Sequence, residues 1–248
     1  MKHVEVLKDG SRIGYVELPG KDPVRIFLHG LGSSSLAYFT AVAFDPLLAG
    51  QRTLLIDLLG FGISDRPHDF SYTLTDQAAA LARLMEQLNL SNADVIAHSM
   101  GGSIAIMLAS MRPDLVRRLV VCEPNLLPTP RPRVEPYSEE RYVAEGFAKA
   151  LATTGNIWPV TMRMADPVAL YRSEHSLGKN MPDNLTDRLL DLPMPCSIVR
   201  GAHSSTLPCE DQINAANIPI ITIAEAGHNM MLENYGQFIA TLSHIMKI

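Results

Sequence analysis

Apolar positions along the chain fall into short runs that switch between two periods. Val24 to Leu28 and Thr53 to Ile56 are almost continuously apolar and end at His29-Gly30 and Asp57. Runs of that length predict strands covered on both faces, as in a parallel sheet. Val4 to Leu7 and Ile13 to Leu18 flank Asp9-Gly10-Ser11 and predict a hairpin. Ser34 to Leu48 predicts a weak helix. Thr73, with Asp76 three residues on, has the form of a capping box. Leu74, Ala78, Leu81, Leu84, Met85 and Leu88 then mark one helical face. Asp94 to Ala97 predicts a strand that runs into His98-Ser99-Met100. A helix over Gly101 to Met111 follows, stopped by Arg112-Pro113, and Val116 to Cys122 is the next strand. Strands and helices alternating over short links predict a doubly wound, mostly parallel sheet.

The alternation then breaks. Five prolines occur in the thirteen residues from Pro124 to Pro136. Helices are expected at Ser138 to Thr153, Asp166 to Leu177 and Asp183 to Leu192, with no strand between them. Residues 125–192 therefore read as a helical cap inserted into a core of residues 1–124 and 193–248. The alternation resumes with a strand at Cys196 to Val199, a helix near Cys209 to Ala216, a strand at Ile218 to Ile223 and a last helix from Met230.

Composition narrows the function classes. The 248 residues suit one α/β domain with an insertion, and 47% apolar residues suffice for a large core. The 21 basic and 26 acidic side chains leave a formal net charge of −5. Nucleic-acid binding needs a basic face, and Arg117 with Arg118 or Arg131 with Arg133 is too short a cluster to make one. Cys122, Cys196 and Cys209 are odd in number and lack metal spacing, which excludes a disulfide framework. No apolar segment follows a basic start, so no signal peptide is expected. Val95 to Met111, a long uncharged stretch, contains His98, Ser99, Gly101, Gly102 and Ser103 and makes a poor membrane span. A cytoplasmic protein acting on a small molecule, with neither nucleic acid nor membrane as partner, is the expectation.

Ala97-His98-Ser99-Met100-Gly101 is the sharpest chemical signal. It is a strand–turn–helix elbow, with Ala at the usual first glycine, that lifts a serine out of the sheet at a helix N-terminus. Serine needs a base. His228, in Ala226-Gly227-His228-Asn229, lies after the last strand and in the chain order that such sites use. His98, next to the serine, reads as local packing. His29-Gly30-Leu31-Gly32 ends a strand, and its glycines let the backbone approach a substrate. The Leu31 and Met100 amides are candidates for an oxyanion hole, and His29 for the pocket. Gly30-x-Gly32 also fits a dinucleotide fingerprint, but Ser35 stands where the third glycine belongs. No metal-binding motif occurs, so neither metal nor cofactor is expected.

Together, His29-Gly30, Asp57-Leu58-Leu59-Gly60-Phe61-Gly62-Ile63-Ser64, the Ser99 elbow and Gly227-His228 resemble the α/β-hydrolase superfamily over nearly the whole chain. The resemblance implies Ser99 as nucleophile, His228 as base, and Leu31 and Met100 as oxyanion donors. The acid departs from the common pattern. The loop Arg200 to Pro208 contains no carboxylate, and Glu210 and Asp211 lie beyond it at a helix start. Haloalkane dehalogenases carry their acid after the sixth strand, where this chain has Glu123, but they have Asp where this chain has Ser99. Glu123 is therefore the expected acid, with Asp57 as a competitor that is usually structural in the family. The resulting expectation is an acyl-enzyme hydrolase of a small carboxylic ester, thioester or lactone. A C–C bond hydrolase acting on a ketone, or a hydrolase-fold binding protein, are the alternatives. From the cap, Trp158 and Met162 are the candidate pocket residues, with Met164, Leu170 and Tyr171 as further apolar side chains.

Overall fold

The computed structural model describes residues 1–155 and 158–247. Eight strands form one sheet: β1 (Lys2–Glu5), β2 (Arg12–Leu18), β3 (Lys21–Leu28), β4 (Gln51–Ile56), β5 (Ala93–His98), β6 (Val116–Cys122), β7 (Cys196–Gly201) and β8 (Ile220–Ile223). Their order is β1-β2-β4-β3-β5-β6-β7-β8. β1 and β2, and β2 and β4, pair antiparallel; every later pair is parallel.

The continuous apolar runs follow from this layering. Side chains alternate between faces along a strand. Ile26 and Leu28 of β3 and Val95 and Ala97 of β5 enter the core on one face, while Phe27 and Ile96 enter the core on the other. Helices α1 (Ser35–Phe44) and Tyr235–Lys247 cover the second face. Helices α2 (Leu74–Gln87) and α3 (Met100–Met111) cover the first. Thr73 caps α2 as expected, accepting from the Asp76 amide at 3.1 Å.

The first strand lies two residues earlier than the pattern predicts. The Asp9 carboxylate accepts from the Ser11 amide at 2.9 Å, and the Val6 and Leu7 amides both donate to Ser11 O. This tight turn absorbs Val6 and Leu7, so pairing stops at Glu5.

Between β6 and β7 the secondary-structure elements of the described residues are all helical. Glu139–Arg141, a π-helical turn Tyr142–Gly146 and Phe147–Thr153 run on from one another, and Pro167–Leu177 and Leu185–Leu190 come later. Ser138 and Asp166 cap two of them. A short helix, Trp158–Met162, was not expected; five residues are too few to show a period. Asn156 and Ile157, within the expected cap range, lie outside the described residues.

After β3 the chain crosses to β4 on one side, and after β5 to β6 on the other. The carboxyl ends of β3 and β5 therefore border a crevice where open α/β sheets bind ligands.

Candidate active site

Ser99 follows β5 directly, with φ 52° and ψ −121°. A side chain in the left-handed region is uncommon and costs about 1–3 kcal/mol. The turn survives because its flanks are locked. The Ser99 amide donates to Cys122 O at 2.9 Å, and the Ser103 amide to Ser99 O at 3.2 Å. Gly101 is required by close approach: a Cβ there would stand 2.4 Å from His29 O. The turn places Ser99 at the N-terminus of α3, 8% exposed and on the wall of a cavity of about 230 Å³.

His228 lines the same cavity. Its Nδ1 lies 2.8 Å from Glu123 Oε2. The other carboxylate oxygen of Glu123 accepts from the Gly201 amide at 2.8 Å. Glu123 follows β6 with φ 49°, and its amide donates to Val199 O at 2.9 Å. Burial alone would raise its pKa, but hydrogen bonds from His228, Ser204 and the Gly201 amide outweigh it and hold the carboxyl below its ordinary value. Asp57, the competitor, lies elsewhere. It is fully buried and accepts from the Ser34 hydroxyl at 3.0 Å, the Ser35 amide at 2.7 Å and the Ile63 amide at 3.0 Å.

The Leu31 and Met100 amides flank this region. Leu31 lines the cavity, in a turn closed by the Ser33 amide donating to Gly30 O at 3.2 Å. Met100 is the first residue of α3, so its N–H has no acceptor within the helix. Trp158 lines the cavity and donates from Nε1 to Leu31 O at 2.8 Å, which orients the peptide after Leu31.

Two expected pocket residues lie behind the wall. His29 is fully buried, with Nδ1 2.7 Å from Gly30 O and Nε2 accepting from the Leu58 amide at 3.0 Å. Burial lowers its pKa, so it serves as a neutral clamp between two loops. Met162 is 1% exposed and packs beneath the left-handed Gly32, where a Cβ would stand 2.8 Å from its Cγ.

Sequence reasoning missed several cavity residues, among them one histidine and two arginines. His98 lines it, with Nε2 2.8 Å from His228 O and its ring centroid 4.6 Å from that of His228. Arg131 and Arg133 line it as well. Their only linear signal was an Arg-x-Arg between prolines, soon after the strand that Glu123 follows.

Comparison with known proteins shows the family of the fold. The profile described as the alpha/beta hydrolase fold matches residues 23–207. A probable lysophospholipase, BODYGUARD 3 of Arabidopsis thaliana, is 31% identical over 152 residues, or 60% of this chain and 27% of that one. The sn-1-specific diacylglycerol lipase ABHD11 of Mus musculus is 38% identical over 101 residues, or 41% of this chain and 32% of that one. The matches thus span about a third or less of these two relatives. A thermophilic esterase from Thermogutta terrifontis has a similar fold, with a TM-score of 0.80 and 20% identity over 100% of this chain and 98% of that one. Among the described residues no cluster of metal-ligating side chains occurs, and no helix is long and apolar enough to cross a membrane.

Proposed function

The chain belongs to the alpha/beta hydrolase fold family, and on that premise we propose that it is a serine hydrolase that cleaves a small carboxylic ester through an acyl-enzyme. The observation that carries this reading is the His228–Glu123 pair at 2.8 Å, with His228 and a strained Ser99 lining one cavity. Its relatives include a probable lysophospholipase and a diacylglycerol lipase, both named for ester substrates.

In this reading His228 takes the proton from Ser99 Oγ as that oxygen attacks the ester carbonyl carbon. Glu123 fixes the tautomer that keeps the far ring nitrogen of His228 free to act, and stabilises the imidazolium. The Leu31 and Met100 amides hold the oxyanion of the tetrahedral intermediate. Collapse breaks the carbon–oxygen bond to the alcohol, which leaves with the proton from His228. A water then gives a proton to His228 and attacks the acyl carbon. The second intermediate collapses, Ser99 regains its proton, and the acid is released. The sum is ester plus water to acid plus alcohol, with no cofactor.

A fluorophosphonate probe and a panel of p-nitrophenyl esters, thioesters and lactones test the proposal. Labelling at Ser99, with turnover of esters, is the expected result. A protein that neither labels nor turns over any member of the panel would overturn it and favour a ligand-binding role.

A further inference from the structure

The proposed chemistry leaves Arg131 and Arg133 without a task, although both line the cavity with Ser99. Their backbone is fixed. The Val134 and Glu135 amides each donate to Arg131 O at 3.0 Å, and the Arg131 amide donates to Glu135 Oε1 at 2.7 Å. One buried carboxylate faces the pair. Glu174, in the helix Pro167–Leu177, lies 3.2 Å from Arg133 Nε and 3.5 Å from Arg131 Nη1. Two guanidiniums thus share one buried negative charge, and an arginine stays protonated at neutral pH. Glu135 is exposed, where water screens its charge.

The hydrogen bonding is equally incomplete. Arg131 Nε is a buried donor without a partner, the atom that an anion can satisfy, whereas the Asn125 Oδ1 and His98 Nδ1 atoms of the same cavity are unpartnered acceptors. Arg133 lies over the Trp158 ring, its guanidinium carbon 4.4 Å from the centroid. Among the described residues its two terminal nitrogens donate to no protein acceptor. A bridge that merely tied the Pro-rich segment to the Pro167–Leu177 helix would need one arginine. A buried donor without a partner is unfavourable, and a bound anion would offset that cost.

We propose that this cavity selects an ester bearing a remote carboxylate, such as the monoester of a short dicarboxylic acid, with the carboxylate on Arg131 and Arg133 and the ester carbonyl at Ser99. This rests on the serine-hydrolase reading above. The guanidinium fork matches a carboxylate with two parallel hydrogen bonds. It matches a phosphate too, but a cavity of about 230 Å³ is smaller than the roughly 300–1,000 Å³ typical of drug-sized ligands, which favours the smaller anion on a short chain.

The test compares pairs of substrates on the full chain. Monomethyl glutarate is set against dimethyl glutarate, and 1-butyryl-glycerol-3-phosphate against monobutyrin, with kcat/KM measured for each. The monoester is expected to exceed its neutral partner at least tenfold, and the advantage should shrink as salt is raised. Arg133→Gln should lower the ratio of monoester to diester at least tenfold, and Arg133→Lys should restore part of it. Equal turnover of monoester and diester overturns the proposal, as does a preference only for the phosphate ester or a ratio that both variants leave unchanged. Calorimetry of monomethyl and dimethyl glutarate binding to Ser99→Ala separates this from the chemistry. Selective binding of the monoester without wild-type turnover keeps the anion site and sinks the hydrolase, whereas turnover of both esters without selective binding does the reverse.

Discussion

Ser99 and Glu123 leave the ends of adjacent parallel strands with the same positive φ, 52° and 49°. Each amide still donates to the next strand along, Ser99 to Cys122 O and Glu123 to Val199 O, both at 2.9 Å. The ladder thus continues to the residue where each chain turns away. Two strained residues one strand apart put a hydroxyl and a carboxylate on the same edge of the sheet, within the reach of one histidine loop.

That strain can be read out at Ser99. Ser99→Ala and Ser99→Gly should both lose ester turnover and probe labelling. Only the glycine relieves the left-handed conformation, so Ser99→Gly should be the more stable of the two by about 1 kcal/mol. For a chain of this size that is roughly 2–4 °C in Tm. Thermal melts of the two proteins side by side decide it. An alanine variant as stable as the glycine one would mean that the turn stores no strain.

Glu123→Gln keeps the shape of the side chain and removes its charge. In a well-studied serine protease, neutralising the triad carboxylate costs about ten-thousand-fold in turnover. Here kcat should fall at least a hundredfold while the fold is kept. Ser204→Ala should cost much less, because Ser204 is one of three groups that hold Glu123. Near-wild-type kcat in Glu123→Gln would refute the pairing as catalytic.

The parts of the molecule legible in the sequence were those set by local pattern. β5 and β6 read as buried strands because both of their faces meet apolar layers, which leaves no polar alternation to mislead. The elbow read as an elbow because small residues at 97, 101 and 102 surround Ser99. What stayed hidden came from distant segments meeting. Arg131 and Arg133 gain their setting only when the Pro-rich segment packs on the helix that carries Glu174. His98 looked like packing because it adjoins Ser99. The His228 loop, 130 residues on, packs a tilted ring against it and accepts from its Nε2, at the wall of the same cavity. Met162 was apolar enough for a pocket, but the left-handed Gly32 turn takes it as support.

Trp158 offers a test of the oxyanion arrangement at one remove. Its Nε1 holds Leu31 O at 2.8 Å, so it acts through the peptide rather than on a substrate atom. Trp158→Phe keeps an aromatic ring and removes the donor. A loss of roughly 1 kcal/mol in positioning, the worth of one neutral hydrogen bond, corresponds to about fivefold in kcat. A boronic acid that mimics the tetrahedral intermediate should lose affinity in parallel, while KM changes little. A change in KM alone would make Trp158 a wall of the pocket only.

The last prediction concerns acid. His98 is 3% exposed, and Nε2 faces a carbonyl oxygen at 2.8 Å, so that nitrogen carries the proton and donates it. Burial first, and then the neighbouring His228, push its pKa down to about 3 from an ordinary value of 6.5. The imidazole is therefore neutral in the folded protein throughout that interval. Between these values the unfolded chain binds a proton that the native state refuses, so stability rises with pH. The contribution is complete above about pH 6.5 and is lost progressively as pH falls toward 3, at about 1.4 kcal/mol per pH unit for one such group. His29 is also buried neutral, but it is common to both proteins in the comparison that follows. His98→Gln replaces the donor with an amide that does not titrate. Urea unfolding at pH 6, 5 and 4 should show wild-type stability falling more steeply than that of His98→Gln, by about one proton's worth of slope. Equal slopes would mean that His98 takes up its proton in the folded state and that burial does not hold it neutral.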